Sequence, residues 1–166
     1  MNSTDPTIAA EFVAAMRHEM KEALAKIRHC FDQLDDSHMG WRPFPEQNSL
    51  TNLILHLCGN MRQWIIVAAG GGVDARNRPA EFSQQTPLPK QELLSRLTAV
   101  VNEADSVISS LTPAKLLEAR KIQSFQTTVL GAITHSVSHL TGHTHQIVYI
   151  TRWHLREKYK FQWEPE

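Results

Sequence analysis

The chain has 166 residues, and its 17 basic side chains balance its 17 acidic ones. A nucleic-acid-binding protein usually carries a basic excess, so this balance argues against nucleic acid as a partner. No apolar run approaches the length of a membrane span, and the first residues lack the basic and apolar regions of a signal peptide. The length predicts a single domain over residues 1–166 with no membrane association.

The two cysteines, Cys30 and Cys58, each fall within a helical pattern of apolar residues. They form neither a metal-binding motif nor a redox motif, which is typical of proteins from a reducing compartment. We therefore expect a cytoplasmic protein.

Four segments carry apolar residues at the three- and four-residue spacing of an amphipathic helix. The first helix is predicted from about residue 6 to about residue 36, with Asp5 as its cap and Pro6 in its first turn. Gly40 and two prolines then interrupt the pattern. The aromatic turn at 41–44 is expected to cover one end of the core.

The second helix is predicted from about residue 49 to about residue 69, with its cap from the Asn-Ser pair that ends at Ser49. His56 lies at the flank of its apolar stripe, about 120° from the centre, with Asn60 and Gln63 on the same side. A lone histidine in this position is more often structural than a ligand. His56 is therefore a candidate metal ligand only if a histidine pair exists elsewhere in the chain.

Three consecutive glycines end this helix, and an irregular segment leads from there to residue 88. The glycines lack the spacing of a phosphate-binding loop. Long loops often pack over a pocket, but we expect Arg76 or Arg78 to form a salt bridge rather than to bind an anionic substrate. The third helix, from Pro89 to about residue 111, carries no histidine or cysteine and is predicted to be structural.

Residues 113–126 connect to the fourth helix, which is predicted from Thr127 to Glu157 with its cap at Thr127 or Thr128. Histidines at positions 135, 139 and 143 follow one another at a spacing of four. This spacing places neighbouring side chains on one face, about one turn apart. Two imidazoles of one helix can share a metal ion in this geometry.

His135 and His143 lie about 12 Å apart along the helix axis, so one ion can bind His135 with His139 or His139 with His143. Measured from the centre of the apolar face, His143 lies roughly 80° to 90° away, His139 about 130° and His135 nearly opposite. The second pair borders the core, where another helix can supply a third ligand, so we favour His139 and His143. The alternative is that these residues and His145 form a partly solvated helix edge without a metal.

Two runs of this sequence resemble a known family. The run from Ser49 to Asn60, followed by Trp64-Ile65, resembles the second helix of the DinB/YfiT-like family of metal-dependent enzymes. The run from His139 to Ile147 is similar to the last-helix signature of that family, in which a histidine pair at a spacing of four precedes Gln-Ile. The resemblance covers nearly the whole chain in helix order.

The resemblance implies an all-α four-helix bundle with a long crossover between helices 2 and 3. The four predicted amphipathic helices fit the same architecture. It implies a homodimer, and a divalent metal held by three histidines that are, by position, His56, His139 and His143. This sequence departs from the common pattern at His145, where the family often has glycine, and His135 is an additional histidine. Each of these two histidines either orients a metal-binding residue without touching the ion itself or has no role at the site.

The best-understood members of that family transfer low-molecular-weight thiols or isomerise substrates with the help of a thiol. Three neutral imidazoles leave a late divalent ion, zinc or nickel, with an open position for a thiol or a water. We expect a transferase or hydrolase that acts on a small-molecule substrate. A thiol is favoured because no carboxylate of the two histidine-bearing helices stands at an obvious general-base position. The alternative is a non-catalytic metal-binding or structural dimeric bundle.

Overall fold

Four long helices arise where the apolar spacing predicts them, and the computed structural model describes residues 7–163. They span Ile8–Asp32, Leu50–Met61 with a short continuation, Lys90–Ser109 and Val129–Leu155, and we call them the first to fourth helices. A long crossover joins the second helix to the third. The predicted all-α four-helix bundle is confirmed, with one small two-stranded hairpin added.

The packing of the helices brings the second and fourth helices face to face. The first helix packs against the third and fourth, and the second helix packs against the same two. Ser136 of the fourth helix donates to Asn60 of the second, while His139 meets His56 one turn away. The two helices therefore run antiparallel, and their facing surfaces hold the predicted histidines.

The first helix ends earlier than predicted, at Asp32 rather than near residue 36. Asp35 has left the helical region and caps a short 3₁₀ turn, Asp36–His38, which starts a new direction of the chain. The predicted start at Asp5-Pro6 lies outside the described residues. In the part of the chain that the structure describes, the helix begins at Ile8. The Thr7 hydroxyl caps it by accepting a hydrogen bond from the backbone N–H of Ala10.

The second helix begins at Leu50 with the predicted Ser49 cap. After Met61 it continues through a π-helical turn, Arg62–Val67, and a last turn, Ala68–Gly70, so its overall length matches the prediction. A π-helical turn contains an extra residue and is frequent at functional sites. Here it carries Gln63, which accepts a hydrogen bond from Arg76, and Trp64, whose ring lies beside that of His135.

Two connections, the crossover predicted to be irregular and the segment before the fourth helix, contain regular structure that was not predicted. The crossover includes a short helix, Arg78–Ser83, capped by Asn77. The connection before the fourth helix includes the short helix Pro113–Leu116 and an antiparallel hairpin, Ala119–Ile122 with Phe125–Thr128. The hairpin turn is Gln-Ser rather than the Asn-Gly or Asp-Gly that signals such turns, and its strands are too short to show alternation. The fourth helix then starts at Val129 with Thr128 as its cap.

The side chain of Asn52 ties the crossover to the second helix. Its amide nitrogen donates to the backbone carbonyls of Glu81, at 2.9 Å, and Gln84, at 3.1 Å. Its oxygen accepts from the backbone and hydroxyl of Ser49 and from Arg42. Because Asn52 is fully buried, these bonds have no competition from water.

No helix between residues 7 and 163 has the length and apolar character needed to cross a membrane.

We predict that Asn52→Ala lowers the free energy of unfolding by about 2 kcal/mol, because it leaves buried carbonyl groups of the crossover without a donor. Urea unfolding measures the stability, and hydrogen exchange is expected to show faster exchange in the crossover helix. The matched control is Asn102→Ala, at an exposed position of the third helix, which should change the stability little. Equal effects of the two substitutions would contradict the tethering role of Asn52.

Candidate functional site

Three histidines from two helices meet between the second and fourth helices. His56 comes from the second helix, and His139 and His143 come from successive turns of the fourth. One ring nitrogen of each lies within 4.8 Å of the other two, and His56 Nε2 is 2.8 Å from His139 Nε2. We call these residues the three-histidine cluster. The structure brings together the residues that the resemblance implied, and their role as metal ligands stays a prediction.

The other ring nitrogen of His56 is held by Glu81 from the crossover helix. His56 Nδ1 lies 2.9 Å from Glu81 Oε2, and both side chains are buried. Arg76 Nη2 is also near this nitrogen, at 3.2 Å, but Nδ1 cannot donate to one group and accept from the other. The shorter contact with the acidic oxygen indicates that Nδ1 carries the proton. In neutral His56, Nε2 is then a free acceptor that faces His139.

Arg76 forms a two-pronged ion pair with Glu81. Its Nε donates to Oε1 at 2.7 Å and its Nη2 donates to Oε2 at 2.8 Å. Its third nitrogen, Nη1, donates to Gln63 Oε1 in the π-helical turn at 2.9 Å, and Gln123 of the hairpin donates to the same oxygen. The expected salt bridge in the crossover therefore exists. It holds Glu81 in place and joins the crossover, the second helix and the hairpin around His56.

A glycine of the second helix makes room for this arrangement. Gly59 lies one turn after His56, and a Cβ atom at this position would clash with Glu81 Oε1 and touch Arg76. Glu81 can approach the helix only because position 59 has no side chain. By contrast, a Cβ at Gly142 of the fourth helix would meet nothing within 4 Å.

Of the remaining two histidines of the cluster, His143 has one ring nitrogen free, and His139 has a lowered pKa. His143 Nδ1 donates to Gln146 Oε1 at 2.9 Å, which leaves its Nε2 free. Burial lowers the pKa of His139 to about 4, with a further contribution from the neighbouring His143 and His56. Burial also lowers the pKa of His56, although Glu81 opposes this shift. Neutral imidazole is the form that binds a metal ion.

The short contact between His56 and His139 fits either a hydrogen bond from the His139 ring or a cation shared by the two rings. With Nδ1 protonated, neutral His56 directs a lone pair from Nε2 towards His139 Nε2 at 2.8 Å. Two lone pairs at this distance repel one another unless a proton or a cation lies between them. The cluster is therefore chemically suited to a cation shared by its rings.

The two other histidines of interest lie outside this cluster. The ring centroid of His135 is 3.9 Å from that of Trp64 and 6.0 Å from that of His139, so its closer neighbour is the indole. His145 is exposed on the polar side of the fourth helix. This placement agrees with the choice of His139 and His143 over His135 as the pair that meets the second helix.

Sequence reasoning missed the contribution of Glu81. Glu81 falls in the segment predicted to be irregular, outside the two histidine-bearing helices in which a general-base carboxylate is expected. Two local signals exist in the sequence: a glycine one turn after His56, and an arginine five residues before Glu81. Neither signal specifies that the crossover folds back onto the second helix, because that contact joins residues 25 positions apart.

Comparisons with known proteins agree with the observed bundle. Nine chains of solved structures match significantly, whereas no curated protein sequence does. A conserved protein from Enterococcus faecalis superposes with a TM-score of 0.71 at 16% identity, over 84% of this chain and 94% of that one. A DinB-like protein (YjoA) from Bacillus subtilis superposes with a TM-score of 0.67 at 12% identity, over 92% of this chain and 99% of that one.

At these identities the structural matches show the fold alone, which is DinB-like. The sequence model of one family, described as a protein of unknown function (DUF1572), matches residues 7–163. This match covers nearly the whole chain, and the protein therefore belongs to the DUF1572 family.

Proposed function

We propose that this protein is a divalent metal-dependent enzyme in which His56, His139 and His143 hold the ion. In this proposal the protein uses the ion to activate either a thiol, which is transferred to a small molecule, or a water, which hydrolyses one. The observation that carries the proposal is the convergence of three imidazole nitrogens within 4.8 Å. The DinB-like fold supports the same function, since a resemblance to that family implied these residues as ligands.

The donor set suits a late divalent cation such as zinc or nickel. Zinc-bound imidazole nitrogens lie about 2.0 to 2.1 Å from the ion, so three nitrogens within 4.8 Å of one another reach it through small ring movements. Imidazole is a preferred ligand of zinc, copper, iron and nickel, whereas magnesium and calcium prefer oxygen ligands. Glu81 beside His56 matches the acidic hydrogen-bond partner that metal-binding histidines commonly have.

When bound, an ion held by three neutral nitrogens supplies an open position at which a thiol or a water becomes more acidic. The chain orients the ligands: Glu81 holds the ring of His56, and Gln146 holds the ring of His143. Both oxygens of Glu81 are engaged by His56 and Arg76. Glu81 is therefore an orienting group rather than a free general base, and this favours a thiol over water as the activated group.

The activated thiol belongs to a small molecule rather than to the chain. Cys58 lies two residues after His56, but burial raises the pKa of its thiol to about 12, so it stays protonated at neutral pH. Burial likewise raises the pKa of Cys30, which is fully buried in the core. A low-molecular-weight thiol is the partner that these observations favour.

The test of this function is a turnover assay with a panel of small thiols and electrophiles. We predict activity in the metal-loaded protein that is lost on stripping and restored by reloading. Alanine at position 56, 139 or 143 should remove metal and turnover together. Metal affinity should fall by more than about 10- to 100-fold, which is the typical loss when a residue that only hydrogen-bonds to a metal ligand is removed. Elemental analysis of protein purified without chelator or affinity tag measures the metal.

The control for these variants is His135→Ala, which removes a histidine of the same helix from outside the three-histidine cluster. It should retain the metal. If His135→Ala strips the metal while His143→Ala keeps it, the wrong histidine pair has been assigned. If none of the four substitutions changes the metal content, the enzyme proposal fails, and the non-catalytic bundle remains.

We further predict that Glu81→Gln weakens metal binding by about 10- to 100-fold without unfolding the protein, because His56 loses its acidic partner. Competition with a chelator measures the affinity. The matched control is Glu103→Gln, which removes an acidic partner of Arg62 on the exposed surface and should leave the affinity unchanged.

Gly59→Ala should reproduce the effect of Glu81→Gln, because the added methyl group displaces Glu81 from the second helix. Gly142→Ala, which adds a methyl group in open space, should not weaken metal binding. Unchanged affinity in both Glu81→Gln and Gly59→Ala would show that Glu81 does not orient the ligand.

We also propose that the chain is a cytoplasmic, single-domain protein that forms a homodimer. Phe161 and Trp163, after the fourth helix, are 57% and 68% exposed, and such aromatic side chains are enriched at protein interfaces. We predict that light scattering at micromolar concentration gives twice the chain mass of 18.9 kDa, and that Trp163→Ala shifts the protein towards the monomer. A mass of one chain for the wild-type protein would contradict the dimer.

A further inference from the structure

A cavity lies about one to three turns beyond His143 along the fourth helix. It has a volume of about 290 Å³ and opens between this helix and the loop that precedes the second helix. Trp41 and Trp153 line it together with Tyr149 and Ile150. We call it the Trp41–Trp153 cavity.

The walls of this cavity specify the chemistry of a ligand. None of the described residues that line it is charged, and its polar groups include the carboxamides of Asn48 and Gln146. Apolar and aromatic walls with a few polar groups are typical of small-molecule sites. A charged group would lose its hydration here without gaining an ion-pair partner. A cavity of about 150 Å³ can accept benzene, so this one has room for a ring with a short substituent.

One side chain connects the cavity with the three-histidine cluster. Gln146 lines the cavity, and its Oε1 accepts the hydrogen bond from His143 Nδ1 at 2.9 Å. From the rise of a helix, Gln146 lies about 4.5 Å and Ile150 about 10 Å beyond His143 along the axis. The separation along the helix between His143 and the lining residues Gln146 and Ile150 is therefore within the length of a single small molecule.

We propose that the Trp41–Trp153 cavity binds an uncharged aromatic or alicyclic ring of the substrate, whose reactive group lies at the three-histidine cluster. The placement of the reactive group rests on the proposed function, whereas the binding of the ring does not. The substrate class is accordingly a small molecule in which a neutral ring is separated from the reactive group by a short chain.

The first experiment tests the cavity alone. Phenylmethanol is titrated into metal-stripped, full-length protein, and calorimetry should show one binding site per chain. Trp153→Ala should weaken this binding about tenfold, because the ring loses an aromatic wall. Trp153 is 62% exposed, so its truncation leaves the core intact. The matched control is Trp163→Ala, which removes an indole that is 68% exposed and does not line the cavity.

The second experiment tests the link with the three-histidine cluster. Phenylmethanethiol and 2-mercaptoethanol are compared in the metal-loaded protein. Both carry a thiol, but only the first carries a ring. The ring-bearing thiol should bind about tenfold more tightly, and Trp153→Ala but not Trp163→Ala should remove this advantage.

The outcomes separate this proposal from the proposed function. If phenylmethanol does not bind, or if Trp153→Ala and Trp163→Ala behave alike, the cavity proposal is overturned. If Trp163→Ala abolishes ring binding together with self-association, the cavity belongs to a contact between copies and the proposal is again overturned. If the ring binds but the protein holds no metal, the proposed function fails while ring binding is supported. If metal binds without an advantage for the ring-bearing thiol, the link between cavity and cluster is wrong.

Discussion

The buried contact between Glu81 and His56 is the interaction on which the arrangement of the three histidines depends. It assigns the proton of His56 to Nδ1 and turns Nε2 towards the fourth helix. Glu81 is itself fixed by Arg76, and it reaches His56 only because Gly59 leaves space. The two helices supply the histidines, but a segment outside them sets the orientation of the ring that joins them.

The parts of this protein that the sequence predicts are those set by local periodicity. The spacing of apolar residues located four helices, and the angular position of His139 and His143 relative to the core distinguished them from His135. These properties follow from the geometry of a single helix. The observed contact of both residues with His56 shows that a wheel argument can identify which histidines face another helix.

The parts that the sequence did not predict depend on contacts between distant segments. The crossover helix is six residues long and folds back through Asn52 and Glu81, which no periodicity reveals. The π-helical turn that carries Gln63 likewise has no signature in the apolar spacing. In each case the stabilising groups come from another part of the chain, so local propensity does not decide the structure.

Asn52 anchors the crossover through main-chain carbonyl groups, namely those of Glu81 and Gln84. An anchor that recognises backbone atoms is indifferent to most side chains of the segment it holds. Mutations of crossover residues other than Arg76 and Glu81 can therefore accumulate while the segment stays attached, and those beside His56, such as at Phe82, change the surface presented to the cluster. This property makes the crossover a natural position for evolutionary divergence, and for grafting loops that change reactivity without rebuilding the helical scaffold.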